Sequence, residues 1–169
     1  MGAVSSVKYD YVSDESDDIG GRYQLSLRLV ERLHRMLLDV IKAEFERMGR
    51  NEVNSVQALL IYNIGDAELT AGELTSRGYY VGSNVSYNLK KLVEAGYIHH
   101  ERSRTDRRSV RVRLTDKGRS VAQVVEDLYE RQLKSIEHVG GLGMDQLAAM
   151  NHSLVRLERF WADQIRYRL

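Results

Sequence analysis

The stretch from Arg22 to Met48 carries two apolar stripes where an ordinary surface helix carries one. Val30, Leu33, Leu37, Ile41, Phe45 and Met48 fall at spacings of three and four, and Leu25, Leu29, Met36 and Val40 run beside them, both with the period of an α-helix. A helix built this way must be covered from two sides, by its own domain and by something else. Gly49, followed by polar Arg50 and Asn51, ends it. The far end of the chain makes a similar demand. Leu147, Met150, Leu154, Leu157, Trp161 and Ile165 are spaced 3, 4, 3, 4 and 4 residues apart, a seam that suits association of helix on helix. Proline is absent from all 169 residues, although average usage would give about eight. Nothing interrupts the long helices.

Composition narrows the classes further. Hydrophobic residues make up 43% and charged residues 29%, and no run approaches the roughly 20 apolar residues of a membrane span. No membrane partner is expected. The N-terminus lacks the basic-then-apolar order of a secretory signal, so a cytoplasmic location is expected. The absence of cysteine excludes disulfides, thiolate metal sites and thiol sensors. Residues 1–20 hold Asp10, Asp14, Glu15, Asp17 and Asp18 among Ser and Gly, too little hydrophobicity to offset the entropy of ordering. They read as a disordered acidic tail.

Between the two striped ends the elements are short. Asn54 reads as the cap of a helix closed at Gly65, and Thr70 with Glu73 as a capping box for a second over TAGELTSRG. The turn GYYVGSN leads into a third, which ends at Gly96. YIHHER (97–102) and VRVRLT (110–115) read as two strands joined by the charged tip SRTDRRS, and Thr115 opens a helix that lasts until GGLG (140–143). The expected fold is mainly α with a small β-hairpin wing. It divides into an expected dimerisation helix (22–49), a winged helix-turn-helix lobe (53–115) and expected dimerisation helices (116–169).

The net charge of +1 conceals an uneven distribution. Residues 77–113 carry nine Lys or Arg against three acidic residues, a balance of +6, while the remainder carries 16 basic against 21 acidic, a balance of −5. A basic centre in a near-neutral chain is the footprint of a polyanion binder, or else a solvated charged face. A helical wheel over residues 83–95 puts Val85, Leu89, Leu92 and Val93 on one side. Asn84, Tyr87, Lys91 and Glu94 fall on the other, flanked by Asn88 and Lys90. Asn pairs bidentately with adenine, Lys reaches guanine or phosphate, and Tyr contacts a thymine methyl or phosphate. Ser83, Asn84 and Ser86 lie in the first turn, whose N–H groups favour a phosphate. At the hairpin tip Arg104, Arg107 and Arg108 surround Asp106, and arginines on a protruding loop insert into narrow minor grooves.

GSNVSYNLKKLVEAGYI followed by DRRSVRVRLTDKG resembles the MarR family of transcriptional regulators, over most of the chain from Leu25 onward, and the recognition stretch is similar to its LdtR-like branch. The resemblance implies a winged helix-turn-helix dimer on double-stranded DNA, in which first and last helices of two subunits interdigitate, with Leu29 and the seam from Leu147 to Ile165 at the interface. It implies that Arg108 enters the minor groove with Asp106 orienting it. It also implies a small, often aromatic effector in a cleft, for which His34, Leu37, Leu59 and Tyr62 are candidates. No cofactor is expected. The five histidines lack ligand spacing, so no metal site is expected either. Phosphate-loop, dinucleotide and hydrolase motifs are missing, which speaks against an enzyme. Two binding alternatives remain open, a nucleoid-type protein without sequence preference and a winged-helix protein adaptor. The adaptor lacks an apolar anchor cluster beyond Tyr87.

Overall fold

The computed structural model describes residues 18–70, 73–74, 82–102 and 110–167. Their elements run α1 (Ile19–Arg47), α2 (Ser55–Ile64), β1 (Leu69–Thr70), α3 (Gly82–Glu94), β2 (Ile98–Arg102), β3 (Val110–Leu114), α4 (Asp116–Leu133) and α5 (Met144–Tyr167). The chain divides into two compact units, Met1–Val56 and Gln57–Leu169.

In the first unit, α1 starts three residues earlier than its apolar period indicates. Asp18, read as part of the acidic tail, is its N-cap, and the carboxylate accepts a 2.8 Å hydrogen bond from the Gly21 N–H. The helix ends as expected at Gly49, whose φ of 66° is the left-handed conformation of a helix stop. Ile41 and Phe45 of the first stripe are buried. Leu29, Met36 and Val40 of the second are exposed. Glu44 is buried as well, and its carboxylate accepts bonds of 3.0 and 2.7 Å from Nε and an Nη of Arg47, which lowers the cost of burying its charge.

In the second unit, α2 buries Ala58, Leu59, Leu60, Ile61 and Ile64. The sheet has the order β1-β3-β2, antiparallel throughout, with Leu69 opposite Val112 and Ile98 opposite Leu114. These four side chains are buried, while His99, Glu101, Arg111 and Arg113 face solvent, the two-residue period of a half-buried sheet. Strand β1 is new relative to the sequence reading, because two residues are too few to display an alternation. The capping box at Thr70 and Glu73 is present: the Thr70 N–H donates to Glu73 Oε2 (2.6 Å) and the Glu73 N–H to Thr70 Oγ1 (3.1 Å). The rest of the helix expected there lies outside the described residues.

The link from α3 to the wing is closed by hydrogen bonds. Gly96 (φ 77°) donates to the Val93 carbonyl at 3.0 Å and Tyr97 to that of Leu92 at 2.9 Å, the paired bonds of a Schellman stop, with buried Leu92 and Tyr97 as its apolar contact. Thr115 caps α4, and its hydroxyl also donates toward the carbonyl oxygens of Gly96 (2.8 Å) and Tyr97 (3.1 Å). Helix α4 buries Val121, Val124, Val125 and Leu128, whereas Leu133 at its end is exposed.

Candidate nucleic-acid interface

Helix α3 separates its faces as the wheel predicts. Leu89 and Leu92 are buried and Val93 is half-buried, while Tyr87 is 63% exposed and Lys90, Lys91 and Glu94 are also outward. Asn88 is half-buried, in its expected flanking position. Ser83, Asn84 and Ser86 lie on the first turn of the helix, but the described side chains begin at Tyr87. Strands β2 and β3 form the wing, and its tip, with Arg104, Asp106, Arg107 and Arg108, lies outside the described residues.

Four described cations of α3 and the sheet lie close to carboxylates. Lys90 Nζ lies 3.9 Å and Lys91 Nζ 3.8 Å from the Glu94 carboxylate, and Lys91 Nζ is 5.9 Å from the centre of the Tyr87 ring. Arg111 donates to Glu68 at 3.0 Å, and Arg113 lies 3.5 Å from Glu101. Sequence reasoning missed the Glu68 pair because the partners are 43 residues apart. Lys117 donates to the Ala95 carbonyl at 2.9 Å and sits 4.1 Å from the Tyr97 ring centre, which ties α4 to the end of α3.

The expected effector residues do not share one environment. His34 is exposed and Leu37 half-buried on α1, in the first unit, whereas Leu59 is buried core of α2 in the second. Tyr62, also in the second unit, lines a cavity of about 450 Å³ with Asn63, Asp66, Arg119, Gln123 and Glu126. Its ring meets Tyr129 edge to face at 5.1 Å and 87°. Burial, followed by a hydrogen bond with Glu126, pushes the Tyr62 phenol above its usual range. Arg119 donates to the Leu114 carbonyl and to Asp116.

The expected interface residues are accessible in the single chain. Leu29 is exposed, as are Met150, Leu154 and Ile165, while Leu147, Leu157 and Trp161 are half-buried. Helix α5 has no buried residue at all. Among the described residues no three His, Cys, Asp or Glu come together as a metal cluster, and no helix is long and apolar enough to cross a membrane.

Residues 53–118 match the model of a winged helix DNA-binding domain. The chain is 35% identical over 154 residues to the exopolysaccharide II synthesis transcriptional activator ExpG of Rhizobium meliloti (strain 1021), covering 91% of this chain and 78% of that protein. Among solved structures it resembles Streptococcus pneumoniae FabT in complex with DNA (TM-score 0.64, 23% identity, 83% of this chain and 98% of that one). It also resembles a mutant MarR from E. coli complexed with operator DNA (TM-score 0.65, 19% identity, 83% and 98%). The transcriptional regulator SlyA shares the fold as well (TM-score 0.68, 16% identity, 85% and 98%).

Proposed function

Because the chain belongs to the MarR family of winged-helix transcriptional regulators, we propose that it acts as a homodimer on a pseudo-palindromic operator and answers to a small effector. It is a DNA-binding regulator by family and fold, not an enzyme. The observation that carries the DNA reading is the division of α3, with Leu89 and Leu92 buried behind it and Tyr87, Lys90 and Lys91 in front. In a winged helix-turn-helix this outward face enters the major groove. Ser83, Asn84 and Ser86 would meet backbone phosphate or bases at the start of the helix, and Asn88 a base edge. Arg104, Arg107 and Arg108, with Asp106, would follow the minor groove. The dimer reading rests on α5, since 24 residues without one buried side chain do not order themselves without a partner. A two-fold dimer reads two half-sites about one helical turn apart.

Selection of binding sites from random DNA tests this, followed by affinities of variants. A consensus with two inverted half-sites is expected. Arg108→Ala should weaken the selected site by about 1 to 3 kcal/mol with little change in thermal stability, and Asn88→Ala or Tyr87→Ala should relax the consensus at particular positions by a similar amount. Where Lys91 contacts phosphate, Lys91→Ala should weaken binding and lower the salt slope by about one. Uniform losses with no consensus would instead establish a nucleoid-type protein.

The effector reading centres on Tyr62 and its cavity. A phenol or small planar aromatic stacking on Tyr62 would change DNA affinity by binding one arrangement of the chain more tightly than another, and a coupling of about 1 to 3 kcal/mol is typical. In a thermal-shift screen of phenols and aromatic acids, hits should lose their stabilisation on Tyr62→Phe. Equal stabilisation of wild type, Tyr62→Phe and His34→Ala would remove both residues from the pocket.

A further inference from the structure

The lysines on the outward face of α3 are not bare phosphate ligands. One carboxylate serves both: Glu94 Oε1 lies 3.9 Å from Lys90 Nζ, and Oε2 lies 3.8 Å from Lys91 Nζ. The sheet repeats the arrangement, with Arg111 on Glu68 and Arg113 on Glu101. Every described Lys or Arg side chain from α3 to β3 therefore has a carboxylate of its own chain within 4.0 Å. Helix stability does not account for Glu94. It occupies the last residue of α3, where a negative charge meets the negative end of the helix dipole. The order Lys90 before Glu94 is also the less favourable orientation of an i,i+4 pair. Nor can a carboxylate on a DNA-facing surface bind phosphate, since it repels the polyanion.

We propose that Glu94 is a specificity-determining residue, an internal counter-ion that withholds Lys90 and Lys91 from sequence-independent contact with DNA. The inference rests on the DNA-binding reading above. In a loose encounter the phosphates are hydrated and several ångströms away, and a carboxylate under 4 Å wins the competition for each ammonium because Coulomb attraction falls with distance. In the docked complex phosphate comes into direct contact and takes over the lysines. Glu94 thus weakens wrong-sequence binding, which is almost wholly electrostatic, more than it weakens binding to the correct site, which also has base contacts. Its role toward Lys90 and Lys91 is one of positioning.

The test compares wild type, Glu94→Gln, the Lys90→Ala/Lys91→Ala double variant, and the triple variant. Each is titrated with a random duplex and with the selected site over a range of salt. Glu94→Gln should tighten the random duplex about three- to tenfold near 0.1 M salt and steepen its salt slope by about one to two. The selected site should gain less, so the ratio of specific to non-specific affinity falls. Without the two lysines the same substitution should have a much smaller effect on the random duplex, that of removing one negative charge alone. Equal gains on both DNAs, or a full gain without the lysines, would each overturn the proposal. Failure of the operator reading shows separately, as a wild-type protein that selects no consensus. The variants' titrations of the random duplex then still decide whether Glu94 holds the lysines.

Discussion

Replacing Leu154 with aspartate should leave a folded chain that sediments as a monomer and no longer holds an operator. Leu154 is 45% exposed in the single chain, so the substitution removes little packing within one copy. In the proposed two-fold dimer it appears twice, and each copy loses the burial of a leucine, about 1.5 to 3 kcal/mol. Each also brings a carboxylate into an apolar seam. The combined cost, about 4 kcal/mol or more, corresponds to a roughly thousandfold rise in the dimer dissociation constant. Operator affinity should fall about hundredfold or more, because two half-sites are no longer bound by one particle. Sedimentation and DNA titration of Leu154→Asp beside Tyr87→Ala separate the surfaces, since the latter should stay dimeric while its DNA reading changes. A Leu154→Asp protein that remains dimeric and binds as wild type does would refute this arrangement. If aspartate prevents folding, Leu154→Ala should give the same shift toward monomer at smaller size.

The parts of this protein legible in its sequence are those set by local periodicity. The burial of Leu89 and Leu92 with Tyr87 and Lys91 outside follows from a 3.6-residue period. The alternation of Val112 and Leu114 with Arg111 and Arg113 follows from a period of two. Gly96, Thr115 and the Thr70/Glu73 box act through bonds that span three or four residues of chain, so their chemistry is visible in the residue types. Features made by distant residues were not legible. Strand β1 exists because Leu69 and Thr70 find Val112 and Arg111 across the chain, and the Glu68–Arg111 pair follows from that pairing. The charge count of residues 77–113 hid the partners of four described cations for the same reason. A sum over sequence cannot see that Glu68, outside the segment, and Glu94 and Glu101, within it, sit on particular cations. For the effector candidates, spacing alone does not distinguish a cavity wall such as Tyr62 from packed core such as Leu59.

Gly118→Ala should be the most damaging change to alanine among the described glycines of the second unit, against what helix propensity alone predicts. Gly118 is buried in the first turn of α4, and its N–H donates to the Thr115 cap at 3.0 Å. Alanine there would favour the helix by about 1 kcal/mol if nothing else were near. A Cβ at this position would stand 2.2 Å from the Tyr97 carbonyl oxygen and 3.3 Å from Cβ and Cδ2 of Leu114. Neither neighbour can yield cheaply. The Tyr97 oxygen accepts the Thr115 N–H at 3.1 Å, its residue closes the stop of α3, and Leu114 is buried at the end of β3. Relief therefore requires the start of α4 to move off the junction of recognition helix and wing. Overpacking at the upper end of its usual range, about 3 kcal/mol, outweighs the propensity gain, with a net loss of about 2 kcal/mol. A chain of this size should then melt about 4 to 8 °C lower. DNA affinity should fall with stability, because Tyr97 and Leu114 lie where α3 and the wing are held in one relation. Melting and DNA titration of Gly118→Ala beside wild type check both effects, and an unchanged melting temperature would mean that the α4 start does not rest on the Tyr97 carbonyl as described.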